Sequence, residues 1–168
     1  MSTKSPRLLW QAALLVLAGL TLAAGTAGTA FAGATAPTPT PMGPSATGGA
    51  VTVMTKTGPM GTYLVDGQGK SLYLFVADKG TTSTCNGPCA TVWPPLTVAN
   101  AATAGSGVTA SMLGTTTRSE GAKQVTYAGH PLYYFASDKN PGDTTGQGVN
   151  NFGGLWWLVT PNGTAITK

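Results

Sequence analysis

An eight-residue phrase occurs twice in this chain, 60 positions apart. Residues 72–79 read LYLFVADK and residues 132–139 read LYYFASDK, so five positions are identical. Gly69 and Gly129 stand at matching positions, three residues before the phrases. A repeat of this length indicates two copies of one structural unit, which pack together because neither copy can bury its apolar face alone.

Residues 1–32 have the composition of a secretory signal peptide. Lys4 and Arg7 form a basic start, and residues 12–25 form an apolar run without a charge. Residues 30–32, Ala-Phe-Ala, supply the small-x-small pattern of a cleavage site. We therefore predict a signal peptide here. The apolar run is short for a membrane span, which needs about 20 residues, and the alternative is an uncleaved segment that anchors the protein.

Residues 33–49 are rich in proline, threonine and glycine, a composition that favours an extended, partly stiff linker. Its role is either a spacer from the membrane or wall, or a leader left after cleavage. Residues 50–168 are long enough for one compact domain. Within that domain we place the first repeat at about residues 58–100 and the second at about residues 108–168.

Strand signals dominate residues 50–168. Runs rich in β-branched and aromatic residues occur at residues 51–55, 62–65, 71–77, 108–113, 123–127, 132–136 and 155–160. Apolar residues occupy both faces of the repeated phrase, which predicts a strand covered on both sides. No stretch of the domain keeps a 3.6-residue apolar period over three turns. The sequence therefore predicts an all-β fold, in which two pseudo-symmetric antiparallel β-hairpin repeats pack into one small domain.

The repeated phrase carries a motif of the form Y-x-(F/W/Y)-x-x-D. Its residues are Tyr73, Phe75 and Asp78 in the first copy and Tyr133, Phe135 and Asp138 in the second. The aspartates end their strands, where a carboxylate accepts hydrogen bonds from the backbone of the following turn. A catalytic carboxylate pair is the alternative, but residues related by a repeat hold equivalent structural positions. We therefore predict no catalytic residues and no enzyme activity.

This motif resembles the one that marks a bacterial family of predicted secreted repeat lipoproteins of unknown function. Further segments are similar to that family in the same order, namely residues 85–89 (CNGPC), 93–96 (WPPL), 124–133 (QVTYAGHPLY) and 142–148 (GDTTGQG). The resemblance covers about residues 58–163 and implies an exported envelope protein with paired repeats, without an established reaction, cofactor or ligand. The chain departs from the family name in one respect, because no cysteine follows the apolar run for a lipid to modify.

Cys85 and Cys89 are the two cysteines of the chain. An even number of cysteines in an exported domain predicts a structural disulfide. Redox-active or metal-binding cysteines are the alternative. The spacing does not fit haem attachment, which needs C-x-x-C-H, and a closed zinc site needs four ligands.

Two metal sites are weaker hypotheses. Copper(I) accepts soft ligands together with histidine, and His130 lies in a Gly-His-Pro turn. The candidate copper ligands are Cys85, Cys89, His130, Met54, Met60 and Met112. Calcium prefers oxygen ligands, which Asp138, Asn140 and Asp143 offer within one loop, although a Pro-Gly pair also explains that loop as a turn.

Trp156 and Trp157 form the candidate ligand platform. Tyrosine and tryptophan dominate recognition surfaces, but they also fill the cores of small β domains. Adjacent residues of a strand point to opposite faces, so one of the two rings is expected to face outward.

Charge is sparse, with seven basic and five acidic residues after residue 32 and no basic run. Nucleic acid is therefore not an expected partner. We predict a secreted or envelope-associated module, without a cofactor, that binds an unknown envelope component or small ligand. Membrane contact is expected only through an uncleaved N-terminal segment. The alternative function is redox or copper handling.

Overall fold

The computed structural model describes residues 50–168. The signal peptide predicted at residues 1–32 and the linker predicted at residues 33–49 lie outside these residues. Within residues 50–168, no helix has the length and apolarity needed to cross a bilayer.

Short strands form most of the regular structure. They are β1 (Thr52–Gly58), β2 (Gly61–Asp66), β3 (Tyr73–Phe75), β4 (Thr97–Val98), β5 (Thr103–Ala104), β6 (Leu113–Thr117), β7 (Lys123–Tyr127), β8 (His130–Pro131), β9 (Asn150–Asn151) and β10 (Gly154–Leu158). The described residues also contain a one-turn helix, α1 (Pro88–Val92), and a 3-10 turn (Ala110–Met112). The predicted all-β fold class is confirmed.

Each repeat opens with an antiparallel hairpin. β1 pairs with β2, with Met54 opposite Val65, and β6 pairs with β7, with Thr115 opposite Val125. The first sheet has the order β2-β1-β5, and the second has the order β4-β7-β6, with β8 also paired to β7. The equivalent hairpins confirm the predicted pair of pseudo-symmetric repeats.

After each hairpin the chain turns through a glycine into the repeated phrase. Gly69 and Gly129 have φ angles of 82° and 84°, a left-handed conformation that residues with a side chain avoid. The N–H groups of Leu72 and Leu132 then bond back to carbonyls of β2 and β7 at 3.0 Å. The glycines that precede both phrases are therefore explained by the turns that they make.

The repeated phrase of each copy pairs with a segment of the other copy. In the first copy, β3 pairs with β10 of the second copy in a sheet of order β3-β10-β9. In the second copy, the N–H groups of Tyr134 and Ala136 donate to the carbonyls of Pro94 and Val92 of the first, at 2.8 and 2.9 Å. The repeated phrase of each copy thus takes its main hydrogen-bonding partner from the other copy, an arrangement that we call the strand exchange.

The strand predicted at residues 132–136 is not continuous. Tyr133 forms isolated bridges to Tyr73 and to Pro95. The opposing segment contains Pro94 and Pro95, which have no N–H to donate, so a regular ladder cannot form there.

The prediction of a strand at residues 108–113 is wrong for most of these residues. The chain turns there, and the N–H of Met112 donates to the carbonyl of Thr109 at 3.0 Å. This turn carries the chain from the first sheet, which β5 borders, to the start of β6 at Leu113. Helix α1 was not predicted, because five residues are too few to show a helical period.

The core lies on both sides of the repeated phrase. Tyr73 and Phe75 belong to one buried cluster, whereas Leu72 and Leu74 belong to a second. The buried part of the repeated phrase ends before Val76, which is 56% exposed. The two clusters confirm that this strand is covered on both of its faces.

Candidate functional site

The two motif tyrosines meet at the centre of the strand exchange. The N–H of Tyr73 donates to the carbonyl of Tyr133, and the N–H of Tyr133 donates to the carbonyl of Tyr73, both at 2.9 Å. Both side chains are completely buried. This reciprocal pair is the point about which the two copies are related.

Each motif tyrosine bonds to the motif aspartate of the other repeat. The hydroxyl of Tyr73 donates to Oδ2 of Asp138 at 2.6 Å, and the hydroxyl of Tyr133 donates to Oδ2 of Asp78 at 2.7 Å. We call these two contacts the crossed pairs. They explain why the motif contains both a tyrosine and an aspartate, since each copy supplies a donor and an acceptor to the other.

The second oxygen of each aspartate holds the turn that follows its strand. Oδ1 of Asp78 accepts from the N–H and the hydroxyl of Thr84 at 2.7 and 2.9 Å. Oδ1 of Asp138 accepts from the N–H and the hydroxyl of Thr145 at 3.0 and 2.5 Å. These bonds are the backbone role that the sequence predicts for both carboxylates.

Burial governs the protonation of the crossed pairs. It raises the pKa of Tyr73 and of Tyr133, and the neighbouring carboxylates raise both further, because a phenolate beside a carboxylate is repelled. Burial also raises the pKa of Asp78, against the lowering effect of its bonds to Thr84 and Tyr133. Both tyrosines therefore remain phenol donors at neutral pH.

Four aromatic rings form a continuous stack between the repeats. Phe75 stacks on Trp156 at 4.1 Å between ring centroids, Trp156 on Trp93 at 4.0 Å, and Trp93 on Phe135 at 4.3 Å. The two indole planes are only 3° from parallel. The order Phe-Trp-Trp-Phe is itself pseudo-symmetric, because each phenylalanine stacks on a tryptophan of the other repeat.

The prediction of a ligand platform at Trp156 and Trp157 needs correction. Trp156 has 0% exposure because it lies inside the stack, so its ring cannot meet a ligand. Trp157 points to the opposite face of β10 and packs, partly buried, against the second cluster. One ring of the two does face away from the stack, as expected for adjacent strand residues.

Cys85 and Cys89 form the predicted disulfide, which encloses the start of α1. The guanidinium of Arg118, on the second repeat, donates to the carbonyl of Cys85 and to the Oγ of Ser83, both at 2.8 Å. It also bonds to Gln124 at 2.8 Å and is ion-paired with Glu120. Sequence reasoning missed Arg118, and a lone arginine just after a threonine-rich strand offers no signal for such a role.

The candidate methionine ligands for copper are divided between the two buried clusters, and the two cysteines are bonded to each other. Met54 and Met60 pack against the first cluster, Met112 packs against the second, and His130 is half-buried in β8. The sulfurs of both cysteines are in the disulfide, which ligates metal poorly. Within residues 50–168 no three His, Cys, Asp or Glu side chains are grouped to hold a metal ion.

The proposed calcium ligands are used by the protein itself. Asp138 points inward to Tyr73 and Thr145. Oδ2 of Asp143 accepts from the N–H groups of Lys139 and Asn140 at 2.9 and 2.8 Å, which makes this loop a closed turn. These contacts give the loop a structural account that needs no cation.

A cleft of about 1130 Å³ opens at the surface beside the stack. Its lining includes Pro94, Pro95, Tyr134, Phe135, Lys70 and Lys139. The hydroxyl of Tyr134 donates to Oδ2 of Asp66 at 2.8 Å, and Oδ1 of Asp66 accepts from the N–H groups of Gln68 and Lys70 at 2.9 Å. Sequence reasoning did not identify this cleft, since its walls come from both repeats.

The repeats of this chain match a known protein family at two places. The family is described as "Secreted repeat of unknown function", and the matches span residues 54–97 and residues 114–160, more than half of the chain. No match was found among curated proteins or among solved structures. The two matched segments are those that exchange strands and carry the crossed pairs, so the chain belongs to this family of secreted repeats of unknown function.

Proposed function

We propose that this secreted domain is a non-catalytic binding module of the cell envelope, and that its cleft binds a saccharide segment of the envelope. The observation that carries the proposal is the cleft itself, with a volume of about 1130 Å³. Pockets for small ligands usually occupy about 300–1,000 Å³, so this cleft is large enough for an extended ligand.

The chemistry of the cleft suits sugar rings. Pro94, Pro95 and Phe135 supply flat apolar surface, and Lys70 and Lys139 are among the lining residues. A sugar ring presents an apolar face to such a surface and hydroxyl groups to polar side chains around it.

The carboxylates of the cleft support binding rather than catalysis. Both oxygens of Asp66 accept hydrogen bonds from the protein, from Tyr134 and from the backbone of its own turn. Both oxygens of Asp138 are likewise occupied, by Tyr73 and Thr145. A general acid or base must exchange a proton with its substrate, and both oxygens of each carboxylate are already bonded within the protein.

Co-sedimentation with purified cell-wall material tests the proposal, followed by calorimetric titration of saccharide fragments released from that material. We expect Lys139→Ala and Phe135→Ala each to weaken binding about tenfold or more, as central contacts of a binding site do. Phe152 provides the matched control, because it is exposed by 46% but does not line the cleft. Binding that survives both cleft substitutions, or that Phe152→Ala abolishes, would refute the cleft as the site.

A further inference from the structure

We propose that the aromatic stack and the crossed pairs together form a relay for one-electron oxidation, which passes an electron from a buried tyrosine to a one-electron oxidant outside the domain. The proposal does not depend on the ligand of the cleft. It rests on the order of the rings, on the two carboxylates and on the acceptors of the indole N–H groups.

The stack connects the surface to the interior. Phe135 lines the cleft and stacks at 4.3 Å on Trp93, which has 0% exposure. Trp93 in turn stacks at 4.0 Å on Trp156. Indole is readily oxidised by one electron, and two parallel indoles in contact share the resulting positive charge. An oxidant in the cleft is therefore one ring away from an oxidisable pair.

A tyrosine that can release its proton adjoins each tryptophan. Tyr73 meets Trp93 edge-to-face at 5.4 Å, and Tyr133 meets Trp156 in the same way at 5.1 Å. When the tyrosine gives one electron to the oxidised indole, its O–H bond breaks and the proton moves to the aspartate oxygen 2.6 or 2.7 Å away. The products are a neutral phenoxyl radical, a neutral carboxylic acid and an oxidant reduced by one electron.

This coupling matters because the rings are buried. A phenol that lost an electron and kept its proton would place a positive charge in an apolar core, which is costly. Transfer of the proton to Asp138 or Asp78 removes that charge as it forms. The indole N–H groups have no such acceptor: those of Trp93 and Trp156 point to the side-chain and backbone oxygens of Asn151, at 3.0 and 3.4 Å. A neutral amide does not take a proton, so the oxidation moves on to tyrosine.

Other tyrosines of residues 50–168 lack one part of this arrangement. The hydroxyl of Tyr127 donates to the carbonyl of Pro161 at 2.7 Å, which is not a base. Tyr134 donates to Asp66, but its ring makes no stacked or edge contact with the tryptophans among the described residues. Tyr63 has neither a carboxylate acceptor nor an aromatic contact with a tryptophan among the described residues. Within these residues, Tyr73 and Tyr133 alone combine the two features.

Photo-oxidation followed by electron paramagnetic resonance tests the relay. The purified protein is illuminated with ruthenium tris-bipyridine and persulfate, which generate a one-electron oxidant in solution, and is frozen within seconds. We expect a neutral tyrosyl radical that falls at least tenfold in the double variant Tyr73→Phe/Tyr133→Phe, with a tryptophan radical in its place. Tyr127→Phe is the matched control and should leave the tyrosyl signal unchanged.

A second pair of variants separates proton transfer from packing. Asp78→Asn and Asp138→Asn keep the shape of the side chain, but they place an amide NH2 opposite the tyrosine, because the remaining oxygen accepts from the threonine N–H. Since an amide NH2 cannot take the phenolic proton, the two substitutions together should also shift the radical from tyrosine to tryptophan. Near-ultraviolet circular dichroism checks that the stack is intact. If the double tyrosine variant does not fold, the single Tyr→Phe variants replace it, and each should remove about half of the tyrosyl signal. A tyrosyl yield that is unchanged in the tyrosine or aspartate variants, or lost in Tyr127→Phe, would overturn the relay.

Discussion

The phenolic hydroxyls of Tyr73 and Tyr133 connect the two repeats by hydrogen bonds. Each donates to a carboxylate of the other repeat, and each ring is completely buried. Hydrogen bonds to charged groups contribute about 1.5–3 kcal/mol to stability. Removal of either hydroxyl leaves a carboxylate oxygen without one of its partners while the ring still fills its place.

We expect Tyr73→Phe and Tyr133→Phe each to lower the free energy of unfolding by about 1–3 kcal/mol. The two costs should be similar, because each hydroxyl bonds to one carboxylate and to one further polar group, the N–H of Gly146 for Tyr73 and the Oγ of Ser83 for Tyr133. Urea unfolding monitored by tryptophan fluorescence measures both. Thr57→Ala is the control, since it removes an exposed bond to Thr62 and should change stability by less than about 0.5 kcal/mol. A null effect at both tyrosines would show that the crossed pairs do not stabilise the fold.

Alkaline pH should unfold the domain through the same hydroxyls. The folded-state pKa values of Tyr73 and Tyr133 lie above the ordinary value of 10.0. The unfolded chain therefore loses these phenolic protons first, and their stabilising contribution, complete below pH 10.0, is lost as the pH rises above it. We expect tyrosinate absorbance at these residues to appear together with loss of near-ultraviolet circular dichroism. Gradual ionisation of all the tyrosines in a folded domain would contradict this.

At the scale of elements, the turn after the second repeated phrase is shaped by the stack. A Cβ on Gly146 would lie 2.8 Å from a ring carbon of Trp93 and 3.0 Å from one of Tyr73. The equivalent turn of the first repeat carries the disulfide instead. The two repeats thus share a plan but hold this turn in different ways, by close packing in one and by a covalent bond in the other.

Gly146→Ala should destabilise the domain by about 1–3 kcal/mol, the usual cost of overpacking a tight core. Gly67→Ala is the matched control, because its new methyl would meet Thr52 at an ordinary 3.6 Å. Thermal unfolding of both variants measures the difference. Equal melting temperatures would mean that the stack moves aside without cost.

Replacement of Cys85 and Cys89 by serine should cost about 2 kcal/mol, since the disulfide closes a loop of only five residues. We expect a folded domain with a modestly lower melting temperature, because Arg118 still holds the carbonyl of Cys85. Calorimetry under identical buffer conditions measures the change. A fully unfolded double variant would show that the disulfide does far more than close a short loop.

The pattern of apolar residues predicts a strand correctly where that strand forms a regular ladder with its neighbours. β7 occupies the predicted residues 123–127 because its neighbours supply an ordinary ladder. The same pattern predicts a continuous strand at residues 132–136, where the structure has only isolated bridges. The opposing segment contains Pro94 and Pro95, which lie far away in sequence and cannot donate to a ladder. Local sequence describes a strand, but its ladder also depends on the segment across from it.

At the scale of the whole molecule, the strand exchange makes the two repeats one folding unit. β3 takes its partner from the second repeat, and residues 132–136 take theirs from the first. The 60-residue period predicts that the copies are equivalent, but it does not say which aspartate each tyrosine reaches. The crossed pairs and the cleft could not be predicted for that reason, since both are formed by segments of one repeat that contact the other repeat.

Separated halves should therefore fold only together. We expect fragments of residues 50–107 and 108–168 each to lack the β spectrum of the domain in circular dichroism, because each exposes an unpaired strand and half of the stack. Mixed in equal amounts, they should regain that spectrum and sediment as a 1:1 complex. A half that folds alone as a monomer would contradict this, and two copies of one half that fold together would show that the repeats are interchangeable.

The exchange also sets the order of events when the protein is made. β3 remains unpaired until β10, near the other end of the domain, becomes available, so the sheet β3-β10-β9 cannot form while the second repeat is still being synthesised. Long-range pairing of this kind is slow compared with the closure of a local hairpin. In a chain exported before it folds, this delay would postpone the final tertiary contacts until export is complete. Maturation would then begin on the far side of the membrane, when the last strand arrives.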